Sequence, residues 1–269
     1  MQSPGTEPLR VGMIVTDLDG TLLHTDKSIS SYSQNVLARC REHGIRVVFA
    51  TARPPRAVMD YLDDVTTDSV ICHNGAEVFV ESKRMLDFAI EFQTAKQTLL
   101  AIKDALVDPH LSIEMDDTLY ANYDATTDWP FTVFVMTDFS DLPNAPAAKI
   151  IARIKSPADI SRIDSLLPDD LYVQMCEGKH GLVMSQAASK WNAIREVASY
   201  FGISISDVVA FGDDHNDIEM LANCGTGVAV ANALDEAKAI ADQVCVCNDD
   251  DGVAKWIDDH CLLTTDWLI

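Results

Sequence analysis

The chain has 269 residues, 48% of them hydrophobic and 23% charged, with 20 lysines and arginines against 42 aspartates and glutamates. That balance excludes a disordered chain and leaves room for one large domain, or a core with a smaller companion. The formal charge of −22 repels nucleic-acid backbones and anionic lipid, so neither is an expected partner. An anionic substrate would need a local cation to approach such a surface.

The opening residues "MQSPGTEPLR" lack the basic and apolar regions of a secretory signal and are expected to fray. No apolar run reaches the roughly 20 residues that span a bilayer. The seven cysteines are scattered, and the closest pair, in "VCVC", lacks zinc-site spacing. Reduced structural thiols in a cytoplasmic protein are the expectation.

The first apolar run, "VGMIVT" at 11–16, reads as a strand buried on both faces and ends in "DLDGTLL". A helix follows over "SSYSQNVLARCREHG", with serines at its start and Gly44 at its end. Strands are expected at "IRVVFA" (45–50) and "SVICH" (69–73), then, much later, at "DVVAFG" (207–212), "GVAV" (227–230) and "QVCVC" (243–247). "KWNAIREVASYFG", "ALDEAKAIADQ" and "GVAKWIDDH" are helical between and after them. Strand–helix alternation predicts a Rossmann-like, doubly wound parallel α/β sheet, formed by 1–82 and 185–269.

The middle of the chain has a different pattern. "HLSIEM", "TLYANY", "FTVFVM", "AKIIARI", "LYVQMC" and "HGLVMS" alternate as half-buried strands do, with helical stretches near 94–107 and 157–166. This predicts an inserted α+β domain over 83–184.

Ligands bind at the carboxyl ends of the strands in an open α/β sheet. The first strand ends in Asp17 and Asp19, the second in Thr51 and Arg53 before Pro54, the third in Asn74 and Gly75, and the fourth in "GDDHND", with Asp213, Asp214, Asn216 and Asp217. Each tip alone could be turn chemistry. Two carboxylate clusters at adjacent tips would repel, by about 4 kcal/mol per pair at ~4 Å and an effective dielectric near 20. A hard divalent cation with oxygen ligands, Mg²⁺ above all, would offset that repulsion.

"DLDGTL", "TAR", Lys190 in "SKWNAI" and "GDDHNDIEM" together resemble the four ordered motifs of the haloacid dehalogenase-like phosphatases. The insertion between the second and third motifs resembles the class with a C2-type cap (class IIB). "HNGAEVF", "GVAVANALDEAK" and "NDDDGVAKWI" are similar to its Cof-type branch, so the resemblance runs from Val11 to His260.

The resemblance implies roles. Asp17 would be the nucleophile that becomes an aspartyl-phosphate, and Asp19 the general acid and base. Thr51 would donate to a phosphoryl oxygen, and Lys190 would balance charge. Mg²⁺ would be held by Asp17, the main-chain carbonyl of Asp19, and Asp213, supported by Asp217 and also Asp214. Arg53, Asn74, Gly75 and Asn216 would face phosphate or substrate.

The substrate implied is a small phosphorylated metabolite such as a sugar phosphate, with nucleotides or cofactor phosphates such as FMN or pyridoxal phosphate also open, acted on by a monomer or small homo-oligomer. Trp129, Arg153, Lys155, Tyr172 and His180 are cap residues available to read the leaving group. A phosphosugar mutase of the phosphomannomutase type and a non-catalytic phosphate-binding protein are the alternatives. Trp191 after the lysine, and Ala187 and Ala188 before it, depart from the branch pattern.

Overall fold

The computed structural model describes residues 10–262 apart from 59–60, 62–64, 82, 131 and 177. The N-terminal stretch expected to fray lies outside the described residues except for Arg10.

Eight strands form one sheet: β1 (Met13–Thr16), β2 (Arg46–Ala50), β3 (Ser69–Cys72), β4 (Glu77–Val80), β5 (Lys83–Asp87), β12 (Val208–Gly212), β13 (Thr226–Val230) and β14 (Gln243–Cys245). Their spatial order is β14-β13-β12-β1-β2-β3-β4-β5. Every pairing from β14 to β3 is parallel, whereas β4 and β5 extend the sheet antiparallel. The order reverses at β1, which lies between β12 and β2, and that is where such a sheet opens a crevice for ligand.

Successive residues of β1 explain the two covering layers. Ile14 joins an apolar cluster with Val36 and Leu37 of α1 (Ser31–Glu42), Ala237 of α6 (Asp235–Ile240), and Val253 and Ile257 of α7 (Gly252–His260). Met13 and Val15 join the opposite cluster, with Ile194 and Val197 of α4 (Lys190–Phe201) and Met220 of α5 (Ile218–Asn223). A strand buried on both faces needs apolar residues at every position, which is why β1 reads as a continuous run.

A second sheet carries β6 (Leu111–Met115), β7 (Thr118–Ala121), β8 (Phe134–Met136), β9 (Ala147–Arg153), β10 (Leu171–Cys176) and β11 (His180–Ser185), in the order β10-β11-β9-β6-β7-β8. Helices α2 (Phe92–Ala105) and α3 (Pro157–Asp164) cover one face through Leu99, Ile102 and Ile163. The other face packs Ala121, Ile151, Leu182 and Met184 against Ala76, between β3 and β4, and Ala188, just before α4.

One expectation needs correction. Three of the strands expected to be half-buried are not: β6 and nearly all of β9 and β11 are buried on both faces, because the face expected to meet water lies on the larger unit, whereas β7, β8 and β10 keep partly exposed positions. Two strand pairings bear on where the units meet. Lys83–Asp87 pairs with β4 in the eight-stranded sheet, and Ser185 pairs with Leu171 in the smaller one. We propose that the chain passes between units at residues 88–90 and 186–189.

Candidate active site

The tips of β1, β2, β3 and β12 converge at one end of the larger sheet. Asp17 follows β1 directly, and its main-chain N–H donates to the Phe211 carbonyl of β12 at 3.0 Å. Lys190 opens α4, where Ser189 caps the helix by accepting from the Asn192 N–H. From there the lysine side chain reaches inward. It is 1% exposed, and its ammonium donates to Asp17 Oδ1 at 2.6 Å and to Asp217 Oδ1 at 2.7 Å. Breaking such a buried pair by removing one partner costs about 3–5 kcal/mol.

Asp217 closes a short 3₁₀ turn (His215–Asp217) after β12. Its Oδ2 accepts from the main-chain N–H of Asp213 at 2.9 Å and of Asp214 at 3.2 Å. That bond pattern holds the "GDDHND" loop curled around a single buried carboxylate. Asp213 accepts from the Thr21 hydroxyl at 2.5 Å. Carboxylate oxygens of Asp17, Asp213 and Asp217 all lie within 4.8 Å of one another.

The electrostatics follow from this crowding. Burial raises the Asp17 pKa well above the ordinary carboxylate value; the Lys190 ammonium opposes the rise, and the Asp217 and Asp213 charges add to it. Burial likewise pushes Asp213 up to about 6, against the Thr21 hydrogen bond and with the help of Asp217. Burial alone would lower Lys190, but the Asp17 and Asp217 carboxylates more than offset it and hold the ammonium charged. One lysine among three carboxylates leaves the cluster short of positive charge. Hard oxygen donors at this spacing suit a small divalent cation.

Asp19 stands apart from that group. Its carboxylate is gripped by the Arg53 guanidinium at both oxygens (2.5 and 2.7 Å) and by the Lys27 ammonium at 2.7 Å. Burial would raise its pKa, but these hydrogen bonds and charges hold it down at about 2. Thr51 is buried at the tip of β2, and its hydroxyl accepts from the Arg53 N–H at 3.1 Å. Asn74 accepts from the Asn216 side-chain amide at 2.9 Å, joining the β3 and β12 tips. His73, Asn74 and Gly75 take positive φ in succession. The Asp214 side chain caps the turn through the His215 N–H rather than joining the three clustered carboxylates.

Some participants escaped the sequence reading. Thr21 sits inside the "DGT" stretch and could have been taken from it; Lys27 carries no local signal. Asn232 donates to the Gly20 carbonyl at 2.7 Å, and Asn248 donates to the Leu23 carbonyl at 2.8 Å while its N–H meets Asn232. The two C-terminal motifs thus brace the loop that follows Asp17.

A cavity of about 410 Å³ opens beside Lys190, between the two sheets. Asn74, Asn192, Asn216, His215 and Glu219 face it from the larger unit, and Tyr172, Gln174 and Gln186 from the smaller side. Of the five cap residues available to read a leaving group, only Tyr172 lines it. Arg153 and His180 lie against Asp128, Trp129 stacks on His180, and Lys155 donates to the Val107 and Asp108 carbonyls. Trp191 packs in the apolar cluster under α4, away from the chemistry, and Ala188 is buried between the sheets.

Comparison with known proteins gives a consistent result. A family model described as haloacid dehalogenase-like hydrolase matches residues 14–257. A pyridoxal phosphate phosphatase of Escherichia coli is 28% identical over 272 residues, covering 92% of this chain and 98% of that protein. A 5-amino-6-(5-phospho-D-ribitylamino)uracil phosphatase of Bacillus subtilis is 26% identical, with 92% and 97% covered. Among solved structures, a protein of Bacteroides thetaiotaomicron studied among phosphatases of this superfamily superposes with a TM-score of 0.84 at 25% identity, over 97% of this chain and 100% of that one.

Proposed function

The chain belongs to the haloacid dehalogenase-like hydrolases, and from that premise we propose that it is a Mg²⁺-dependent phosphatase of small phosphomonoesters, working through a phosphorylated Asp17. The observation that carries this reading is the buried Lys190 ammonium bridging Asp17 and Asp217, with Asp213 beside them.

In this reading Asp17 attacks phosphorus and holds the phosphoryl group as an acyl phosphate, so that hydrolysis is divided between two displacements. Lys190 orients the Asp17 carboxylate through Oδ1 and counters charge gathering on the transferring group. Thr51 offers its hydroxyl to a phosphoryl oxygen. Asp17, Asp213 and the Asp19 main-chain carbonyl would hold the metal, with Asp217 fixing the Asp213 loop and Asp214 capping the adjoining turn. The metal, when bound, neutralises the carboxylates so that a phosphate dianion can approach.

Asp19 protonates the leaving oxygen and then takes a proton from the attacking water. A carboxylate held near pKa 2 by Arg53 and Lys27 is a poor acid. In this reading Arg53 and Lys27 give up part of their hold on Asp19 when substrate arrives, Arg53 turning toward the phosphate. That exchange would couple substrate arrival to the availability of the acid.

The cavity bears on the leaving group. Its wall carries side-chain amides from Asn74, Gln174, Gln186, Asn192 and Asn216, with the Tyr172 ring at one side. Amides both donate and accept, which matches a hydroxylated leaving group such as a sugar. Among the described residues no arginine lines the cavity, and Lys190, already engaged, is its single lysine. A second phosphate would meet amides, Tyr172 and His215 there but no guanidinium and no free ammonium, which weighs against a mutase handling a bisphosphate. A hydroxylated pyridine or ribityl compound, of the kinds named for the two relatives, is a reasonable second group to assay.

The test is phosphate release from p-nitrophenyl phosphate and a panel of sugar phosphates, with and without Mg²⁺, for wild type and Asp17→Asn. Release that requires Mg²⁺ and falls at least about 10³-fold in the variant is expected, as for loss of a nucleophile. Undiminished turnover by Asp17→Asn would remove it from that role.

A further inference from the structure

The loop joining Thr51 to Arg53 has three consecutive carbonyls, each with a different partner. Thr51 O accepts from the Asn74 N–H at 2.9 Å, and Arg53 O accepts from the His73 N–H at 3.0 Å. Both donors come from the neighbouring β3 tip. The carbonyl between them, on Ala52, accepts from the Lys149 ammonium at 3.1 Å. Lys149 belongs to the other sheet: it is the third residue of β9, and is 7% exposed.

The same end of the smaller sheet makes a second grip. Glu114 is the direct cross-strand neighbour of Lys149, so both side chains leave the same face. Glu114 does not pair with that lysine. It takes both ends of the Arg56 guanidinium, at 2.8 and 2.9 Å. The β6–β7 turn adds to this. Asp116 and Asp117 both have positive φ there, and Asp117 accepts from the Arg56 N–H at 3.1 Å while its carbonyl accepts from the guanidinium at 2.9 Å. Residues 52–56 are therefore held by the two central strands of the inserted sheet and the β6–β7 turn, while the cavity lies along β10, the edge strand two places from β9.

A buried ammonium directed at a neutral carbonyl is costly to keep. Burial lowers the Lys149 pKa, and nearby Arg56 adds to the effect, while Glu114 opposes it. A methionine or leucine would pack at this position without that cost. The lysine is explained by what it holds.

We propose that Lys149 is a positioning residue for phosphoryl transfer, through which the inserted sheet fixes the Thr51–Arg53 loop beside the strand that carries Asp17. It acts through Ala52 and touches no reacting atom. The proposal rests on the phosphatase reading for its kinetic consequence, though not for the contact itself. Arg56 and Glu114 reinforce the same grip, so the two units act as one body at this end, and access to the cavity is left to the β10 side.

The experiment compares wild type, Lys149→Met and Lys149→Arg in Mg²⁺. Three quantities are measured: turnover of p-nitrophenyl phosphate and of a sugar phosphate, inhibition by orthovanadate, and amide hydrogen exchange across 51–57. For Lys149→Met, kcat should fall about 10–100-fold, since a loop displaced by about 1 Å can cost 10²-fold. The factor should be the same for both substrates, with KM within about twofold and vanadate inhibition weakened. Faster exchange should be confined to the loop, and Lys149→Arg, which retains a donor, should recover most of the turnover.

Wild-type turnover by Lys149→Met overturns the proposal. So does a loss seen only in the KM of the larger substrate, which would make Lys149 a leaving-group contact, or loosening spread evenly over the smaller sheet. If Lys149→Met does not fold, Arg56→Ala carries the same comparison. If wild type itself releases no phosphate, the phosphatase reading fails separately, and unchanged exchange over 51–57 in Lys149→Met still refutes the positioning role.

Discussion

At Gly75 the backbone has φ +104°, and a β-carbon there would lie 2.2 Å from the Ser189 carbonyl oxygen. Ser189 caps the helix that begins with Lys190, so this close approach seats the lysine beside Asp17. Gly75→Ala should therefore combine left-handed backbone strain with a steric clash, and should lower stability by on the order of 3 kcal/mol. It should also lower turnover, because the displaced backbone is the one carrying Lys190. Gly44, with φ +78° and nothing within 4 Å of its added carbon, is the control. Its alanine variant should cost only the backbone strain, about 1 kcal/mol. Equal denaturation midpoints for the two variants would show that the Ser189 contact has no special weight.

Among the elements, β2 shows how a strand end is secured away from the chemistry. Asp68, just before β3, accepts from the Val47 N–H at 2.9 Å, from Arg46 at 2.8 Å and from Arg41, near the end of α1, at 3.2 Å. Burial would raise its pKa, but these donors hold it below the usual value. A carboxylate whose folded pKa is depressed contributes stability above its unfolded pKa, near 3.9, and loses it as pH falls through the lower folded value. Asp68→Asn should thus cost about 1–3 kcal/mol at pH 7. The deficit relative to wild type should shrink once the pH falls below about 4. Urea titrations at pH 7 and pH 3 test this; a deficit that persists unchanged at pH 3 would assign the effect to packing instead.

For the molecule as a whole, a charge of −22 and a cluster of buried carboxylates make cation binding and folding stability one question. A cation bound by the folded chain alone stabilises it by about 2.7 kcal/mol at a hundred times its dissociation constant. For a chain of this size that corresponds to a melting temperature about 5–10 °C higher. Adding Mg²⁺ after EDTA treatment should produce such a rise in wild type and very little in Asp213→Ala. An equal rise in both would place the stabilising cation elsewhere on the acidic surface. Cys40, Cys72, Cys224, Cys245, Cys247 and Cys261 are outside any disulfide, so reductant should leave these transitions unchanged.

The parallel strands, the inserted sheet and the residues at the strand tips were legible in the chain itself. Continuous apolar runs mark strands buried on both faces, and "DLDGTL", "TAR" and "GDDHND" stand directly after them. Periodicity could not tell which face of the inserted sheet would be covered, because the burial of β6, β9 and β11 depends on a packing partner far away in sequence. Pairings were equally hidden. Nothing local joins Lys27 and Arg53 to Asp19, or Lys149 to Ala52, since a long cationic side chain can reach any acceptor that folding brings near it. The sequence determined which groups stand at the strand ends, because strand patterns and turn residues are local. Only the tertiary structure decided which charges meet, because that depends on distances across the chain that close when both sheets form.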